Sequence, residues 1–465
     1  MLLLSKYYFS VIGSNVKSKS EPSTLKKKTN LSPNQVLVLG FLCLIIIGTY
    51  LLHLPEASSG GDSIKLIDAL FTATSATCVT GLIVLDTGSD FSFFGQWVIL
   101  ILFQIGGIGI MTFATMFAFL LGKKISLRQR LIIQESLNQF SIGGLVRLAK
   151  YILLFTFFFE GLGTLLLYLN WHHIHSSHSP LFLSFFHAVS AFCNAGFSLF
   201  SDSLRQYSSH LGINIIFLIL IVFGGIGFLV LVDFYEFPKR KRLSLHSKLV
   251  IVMTIILLAI GTVGLLFLEN QNPNTIQSYP LKGKILSAAF QSTTARTAGF
   301  NTIPIGQMGN ASLLLLIILM FIGASPTSTG GGIKTTTFCV AFLWMYFTLK
   351  GRRHLYLYQR QISETVVSKA WVIFMLAISW VMVMTLLLAY FEEFDFIKLL
   401  FEAISAFGTV GLSTGITSSL SFNSKLIIII TMFFGRLGPL SLAISLIINR
   451  QPELIQYPED RVMVG

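Results

Sequence analysis

Charge is scarce in this sequence. Asp, Glu, Lys and Arg together make up 11% of its 465 residues, less than half the roughly 25% of an ordinary soluble domain. With 53% of the residues hydrophobic, too little polar surface remains to cover a soluble core, so a water-soluble enzyme or adaptor is excluded. Cysteine is scarcer still, with Cys43, Cys78, Cys193 and Cys339 the four present. They stand in apolar or helix-end contexts without paired spacing, which excludes a disulfide framework, a cysteine zinc site and the secreted classes that depend on them. Acidic residues are outnumbered 20 to 33 by Lys and Arg, a net charge of +13. In so apolar a chain that excess bears first on which loops face the cytoplasm, and no nucleic-acid partner is expected.

What the chain has instead is long uncharged runs. Residues 35–54, 249–268 and 370–391 each reach the ~20 residues needed to cross a bilayer. With 95–122, 151–170, 211–231, 311–349 and 426–449 they give eight candidate crossings, one of abnormal length. Lys6, Lys17, Lys19, Lys26, Lys27 and Lys28 precede the first crossing, and basic residues recur in every second connection. These are Lys123, Lys124, Arg128, Arg130, Arg147 and Lys150, then Lys239, Arg240, Lys241, Arg242 and Lys248, then Lys350, Arg352, Arg353, Arg360 and Lys369. The tail adds Arg450 and Arg461. By the positive-inside rule both termini are cytoplasmic in a multi-pass protein of the plasma (inner) membrane. The apolar start, Met1 to Gly13, is too short and too interrupted by Lys6 and Ser10 to span, so residues 1–34 are expected to be a cytoplasmic arm.

The external connections end alike: SATCVTGLI (75–83), SAFCNAGFS (190–198), TTARTAGFN (293–301) and SAFGTVGLS (405–413). Gly81, Gly196, Gly299 and Gly411 superpose, each with Ser or Thr six residues earlier (Ser75, Ser190, Thr293, Ser405) and a large apolar residue after it. A second landmark follows inside the next crossing, at Gly106-Gly107, Gly224-Gly225, Gly323-Ala324 and Gly435-Arg436. The expected architecture is all-α and integral to the membrane, with four pseudo-repeats of outer helix, re-entrant half-helix and loop, and inner helix. The repeats occupy 35–122, 149–232, 248–349 and 370–449, and 450–465 is a cytoplasmic tail.

Each half-helix is too short to span, and start signals mark two of them: Ser179-Pro180, and Asp395 before an apolar run. Irregular backbone at membrane depth survives only inside protein or beside a watery cavity, so four glycine turns should converge on one axis. That is a pore. Half-helix C-terminal ends and turn carbonyls aimed at the axis favour a cation. Taken one at a time the glycines are also compatible with ordinary re-entrant turns; four in register favour the pore. The GGIG pairs (Gly106 to Gly109, Gly224 to Gly227) read first as close helix packing and second as pore lining.

The four turn segments resemble the degenerate selectivity-filter segments of the Trk/Ktr/HKT potassium-transporter superfamily. They are Thr77, Cys78, Val79, Thr80 and Gly81; Phe192, Cys193, Asn194, Ala195 and Gly196; Ala295, Arg296, Thr297, Ala298 and Gly299; and Phe407, Gly408, Thr409, Val410 and Gly411. The resemblance covers residues 35–465 and is strongest to the bacterial Ktr-type membrane subunit, since no extra pair of crossings precedes the first repeat. It implies a homodimeric potassium-translocating subunit, with potassium bound at filter carbonyls near the four glycines. It implies a cytoplasmic ring of nucleotide-binding regulatory subunits as partner, and no cofactor in this chain. In the family, glycine at all four filter positions goes with potassium and serine in the first repeat with sodium; this sequence has Gly81. Residue chemistry by itself reaches only a monovalent cation.

Two departures from the repeat lie below the turns. Residues 323–337 interrupt the sixth crossing with Gly323, Ser325, Pro326, Thr327, Ser328, Thr329, Gly330, Gly331, Gly332 and Lys334, a composition that breaks a helix. It reads as an intramembrane gate, as in the family's third inner helix, or as a plain turn between packed half-helices. Arg436 stands where the sister repeats have Gly107, Gly225 and Ala324. A cation there must face the interior, either as a barrier beside the ion path, which is where the family places an arginine, or paired with a carboxylate or loop carbonyls.

Other polar residues carry less. Glu160 is a mid-crossing acid, read as a buried hydrogen-bonded group or an ion site. His172, His173, His175 and His178 form a solvated cluster or a metal site. Asp86 and Asp90 either enrich cations at the mouth or are plain loop charges. The rival functions are a secondary cation-coupled transporter, whose broken helices would explain 311–349, and a polytopic membrane enzyme built on the histidines. No catalytic constellation supports the latter, and no enzyme activity is expected.

Overall fold

A computed structural model describes residues 32–109, 131, 134, 144–173, 178–352 and 354–438. The arm before residue 32, the charged connection around 110–130, His175 and the segment after 438, including the tail, lie outside the described residues. Among the described residues, fourteen α-helices with defined bounds and one two-stranded hairpin are formed.

The four repeats begin with α1 (Pro33–His53), α4 (Leu145–Trp171), α8 (Leu245–Glu269) and α12 (Glu364–Phe391). Among the described residues these four are each long and apolar enough to cross a bilayer as a single helix. Ser32 starts α1 with a reciprocal cap: its hydroxyl accepts from Gln35 N–H at 3.3 Å while Gln35 Oε1 accepts from Ser32 N–H at 2.9 Å, with Pro33 in the first turn. Only about a third of each helix is covered by protein. Ile46, Val263, Phe267 and Tyr390 remain exposed, as suits helices whose outer surface meets hydrocarbon rather than water.

The half-helices are α2 (Leu66–Thr77), α5 (Pro180–Phe192), α9 (Leu281–Thr294) and α13 (Phe396–Gly408). At 12 to 14 residues they are roughly 18–21 Å long and cannot span. Ser179 caps α5 as its sequence suggests, accepting from Phe182 N–H at 3.3 Å. Asp395 stands at the start of α13 but makes no capping bond; its carboxylate pairs instead with Lys398 at 2.8 Å.

The inner helices correct the expectation of a single broken crossing. They are α3 (Phe93–Ile108), α6 (Leu211–Gly225) with α7 (Phe228–Arg240), α10 (Asn310–Phe321) with α11 (Thr335–Leu349), and α14 (Phe422–Leu437). The axes of α6 and α7 differ by 96° across Ile226 and Gly227. Gly109, Gly227 and Gly438 share one backbone state, with φ of 90°, 97° and 85° and ψ of 131°, 135° and 141°. A side chain would be strained there, so the last glycine of GGIG, GGIG and GRLG stops the helix in three repeats. Gly106, Gly224 and Gly435 do serve close packing, because a Cβ on each would lie 2.1, 1.9 and 1.9 Å from the carbonyls of Thr77, Phe192 and Phe407.

Each inner helix packs on the half-helix of the next repeat: α3 on α5, α6 on α9, α10 on α13, and α14 back on α2. The ring therefore closes on itself. Its last seam carries a largely buried ion pair, Lys425 Nζ to Asp68 Oδ1 at 2.7 Å. Fully buried Phe71, Phe186, Phe290 and Phe401 sit at one position of the four half-helices. The all-α expectation needs one small amendment: Tyr356–Leu357 and Arg360–Gln361 pair as β1 and β2 in the basic connection after α11. Tyr358 and Gln359 at positive φ form its tight turn.

Candidate functional site: a ring of four glycine turns

The C-terminal ends of α2, α5, α9 and α13 meet at one place. Two residues before each landmark glycine the backbone takes the left-handed conformation, with φ of 59° at Val79, 58° at Asn194, 74° at Thr297 and 50° at Thr409. The glycines follow at 87°, 73°, 77° and 89°. A left-handed residue costs a non-glycine roughly 1–2 kcal/mol, so its recurrence at one register in four separate segments is imposed by the tertiary structure.

The strands touch in cyclic order. A Cβ on Gly81 would stand 2.4 Å from Ala195 O, one on Gly196 2.9 Å from Ala298 O, one on Gly299 2.7 Å from Val410 O, and one on Gly411 2.2 Å from Thr80 O. Every glycine thus abuts the carbonyl preceding the glycine of the next repeat, and glycine is the residue that fits. Above the ring opens a cavity of about 570 Å³ lined by all four glycines and by Asp86, Asp202 and Arg205.

Hydroxyls on the half-helices brace the turns in three of the four repeats, while Ser405 Oγ in the fourth has no hydrogen-bond partner among the described residues. Ser75 Oγ accepts from Gly81 N–H at 3.1 Å, Ser190 Oγ donates to Phe197 O at 2.8 Å, and Thr294 Oγ1 donates to Phe300 O at 2.7 Å. In the third repeat the bracing hydroxyl stands five residues before the glycine, whereas counting six back selects Thr293. Thr293 instead bonds Ala289 O on its own helix. Repeat 3 has one residue fewer between brace and glycine, and the sequence signal for this lies one step upstream. Phe71-Thr72, Phe186-His187, Phe290-Gln291 and Phe401-Glu402 each precede a hydroxyl residue by the same distance, at Ser75, Ser190, Thr294 and Ser405. Matching this phenylalanine and polar pair finds the register that the glycines miss.

Below the ring, residues 322–334 form no helix and lie within the protein, with Ala324, Ser325 and Thr329 buried. The loop is wedged between the inner helices of repeats 2 and 4. Ser325 N–H donates to Gly225 O at 3.0 Å, Phe228 N–H to Thr327 O at 2.9 Å and Gly332 N–H to Gly435 O at 3.4 Å. It also reaches the turns: Gly331 N–H donates to Thr409 Oγ1 at 2.9 Å, and a Cβ on Gly330 would meet Thr297 Oγ1 at 2.0 Å. Ser325 Oγ lies 3.0 Å from Thr335 Oγ1, Ser328 Oγ donates to Ser325 O at 2.6 Å, and Pro326 O packs against Gly227. Lys334 turns its ammonium back onto Gly330 O at 2.5 Å.

Arg436 ties the parts together. Its guanidinium donates to Thr329 O in the loop and to Gly106 O and Gly107 O at the end of α3. Among the described residues, carbonyls and not a carboxylate hold this cation.

The remaining polar residues also find places. Glu160 lies behind the second turn, where Gln104 Nε2 donates to its Oε2 at 3.1 Å and Cys193 Sγ stands 3.2 Å from Gln104 Oε1. Asp86 and Asp90 hold their own turn: Asp86 Oδ1 accepts from Gly88 N–H at 2.8 Å and Asp90 Oδ2 from Asp86 N–H at 2.8 Å. Among the described residues no group of three His, Cys, Asp or Glu is placed to hold a metal.

Fold and site together define a helical membrane protein of four pseudo-equivalent repeats around one closed ring of backbone. The family model described as TrkH, cation transport protein, matches residues 7–457. The chain belongs to this family. It is 42% identical over 439 residues to the Ktr system potassium uptake protein B of Bacillus subtilis, covering 94% of this chain and 98% of that one. To the potassium/sodium uptake protein NtpJ of Enterococcus hirae it is 37% identical, covering 95% and 99%. The crystal structure of the potassium transporter TrkH from Vibrio parahaemolyticus shares the fold, with a TM-score of 0.70 at 19% identity over 91% of this chain and 86% of that one.

Proposed function

We propose that this chain is the membrane subunit of a potassium uptake system, working as a potassium-selective, channel-like pore. The observation that carries the reading is the closed ring, in which Gly81, Gly196, Gly299 and Gly411 each lean on a carbonyl of the next repeat. Carbonyls held by contact with their neighbours can replace a hydration shell without collapsing onto a smaller ion. The ion path runs from the external cavity through Thr77–Gly81, Phe192–Gly196, Ala295–Gly299 and Phe407–Gly411, with no cofactor.

The gate is the loop from Gly323 to Lys334 together with Arg436. Lys334 and Arg436 set two positive charges under the ring, and the loop crosses below it. Thr329 held by Arg436 is the closed arrangement, and moving the loop toward the cytoplasm opens the path. The subunit works as a homodimer in the plasma membrane with both termini cytoplasmic. The word system in the Bacillus relative's name accords with further subunits, for which the cytoplasmic nucleotide-binding ring is the expected partner. Sodium is the competing cargo, since the Enterococcus relative is named for both ions.

A secondary transporter is less well supported. Broken helices fit one, but the breaks follow a fourfold ring rather than two halves. The test is rubidium or potassium uptake, at varied sodium, by cells lacking their own potassium uptake and expressing the full chain. Saturable uptake that prefers potassium supports the pore; absence of any cation flux in correctly inserted protein, with its regulatory partner present, overturns it.

A further inference from the structure

The polar residue after the repeated phenylalanine has, among the described residues, two partnered and two unpartnered versions. In repeat 2 it is His187, fully buried and packed beside Trp171 and Phe200 at centroid distances of 5.2 and 5.0 Å. Its Nδ1 lies 2.8 Å from Leu183 O, so that nitrogen carries the proton and Nε2 is left as an acceptor. Nε2 accepts from Leu199 N–H at 3.3 Å, with Ser198 Oγ 3.1 Å away. In repeat 4 it is Glu402, also fully buried. Its Oε1 accepts from Thr414 N–H at 2.9 Å and Ser413 Oγ at 2.7 Å, and its Oε2 from Thr417 Oγ1 at 2.8 Å.

The two grips are the same grip. Leu199 and Thr414 both stand three residues after their filter glycine, and Ser198 and Ser413 two after. An imidazole and a carboxylate thus perform one task at one position. In repeats 1 and 3 the equivalent Thr72 hydroxyl and Gln291 amide are buried without a hydrogen-bond partner among the described residues. Since the ring runs 1, 2, 3, 4 by contact, repeats 2 and 4 face each other across the axis.

We infer that His187 and Glu402 are positioning residues for ion selection, holding the outer edge of the ring from opposite sides. Neither faces the lumen. Each anchors the segment that leaves its glycine outward, and thereby the direction and spacing of the carbonyls at Gly196 and Gly411. Without the anchor the outgoing segment relaxes, its carbonyls lose their fixed spacing, and a smaller, more strongly hydrated cation is no longer rejected.

This rests on the potassium-pore reading, and two measurements separate the two ideas. The first is the ratio of potassium to sodium uptake by Glu402→Ala, Glu402→Asp, Glu402→Gln, His187→Ala and His187→Gln, all in the full chain. Glu402→Ala and His187→Ala lower the ratio by about tenfold, the factor that one lost buried hydrogen bond represents in an equilibrium. Glu402→Gln and His187→Gln keep most of it, because an amide oxygen still accepts the Thr414 or Leu199 N–H. Glu402→Asp, one methylene short of the grip, behaves like Ala and serves where the cavity left by Ala prevents folding. A residue needed only for folding would lower both fluxes together and leave the ratio unchanged.

The second measurement is backbone hydrogen exchange of the purified protein, which needs no flux. Protection of Thr414 falls in Glu402→Ala or Glu402→Asp and is retained in Glu402→Gln. If the unmodified chain carries no cation while Thr414 loses protection as described, the pore reading fails and the grip stands. If Glu402→Asp and Glu402→Gln give the same ratio and the same protection as the unmodified chain, the inference is overturned.

Discussion

Replacing Gly81 by serine perturbs the ring at its tightest kind of contact. Two contributions follow from the geometry. The backbone there has φ of 87°, which costs an L-residue roughly 1–2 kcal/mol. The new Cβ would stand 2.4 Å from Ala195 O and 2.9 Å from Gly196 Cα, both backbone atoms, and forcing such an overlap apart costs typically about 1–3 kcal/mol. The strand of repeat 1 must therefore move away from that of repeat 2, carrying the Gly81 and Thr80 carbonyls with it. If about 1.4 kcal/mol of this total appears as lost preference between ions, selectivity falls tenfold. The assay is potassium uptake against a sodium series, with protein in the membrane quantified. Gly60→Ser is the control, because a Cβ there meets nothing nearer than Ser58 Oγ at 3.8 Å. Unchanged ion preference in Gly81→Ser at normal abundance would refute the reasoning.

Further outcomes follow from the loop and the seams. Arg436→Ala frees the Thr329 carbonyl from the end of α3 and raises basal cation flux several-fold; unaltered flux in inserted protein counts against the barrier. Thr409→Val keeps the shape but removes the acceptor for Gly331 N–H, a bond worth about 1 kcal/mol, so basal uptake rises less than in Arg436→Ala and thermal stability barely moves. Lys425→Ala strands the Asp68 carboxylate at the closing seam, lowering stability by about 3–5 kcal/mol. Lys425→Asp combined with Asp68→Lys recovers part of the loss in a thermal melt, and no recovery argues that the pair is incidental. Glu160→Ala unties Gln104 and Cys193 behind the second turn, a loss of about 1–3 kcal/mol, with ion preference unchanged.

Much of the molecule is legible in its sequence for a simple reason. The ~20-residue apolar runs and the alternating basic connections report the bilayer, an external constraint that acts residue by residue. The glycine landmarks were legible because backbone conformation at positive φ restricts residue type. The break at 323–337 was legible through Pro326 and Gly330 to Gly332.

What stayed hidden depended on neighbours distant in the chain. The expectation of one broken inner helix missed the stops at Gly109, Gly227 and Gly438, because a GGIG pair suits packing and a stop equally well until the next element is in place. Thr293 aligned with Ser75, Ser190 and Ser405 because the glycine count assumes equal loops, whereas Thr294 is the residue whose hydroxyl reaches Phe300 O. Glu160 found Gln104 and Cys193, and Arg436 found carbonyls on two other repeats, only once the ring had closed. Sequence by itself determined the solvent, the repeat and the turns. The tertiary structure decided the partners, since a buried charge takes whichever polar group the packing brings within reach, and chain order does not specify that distance.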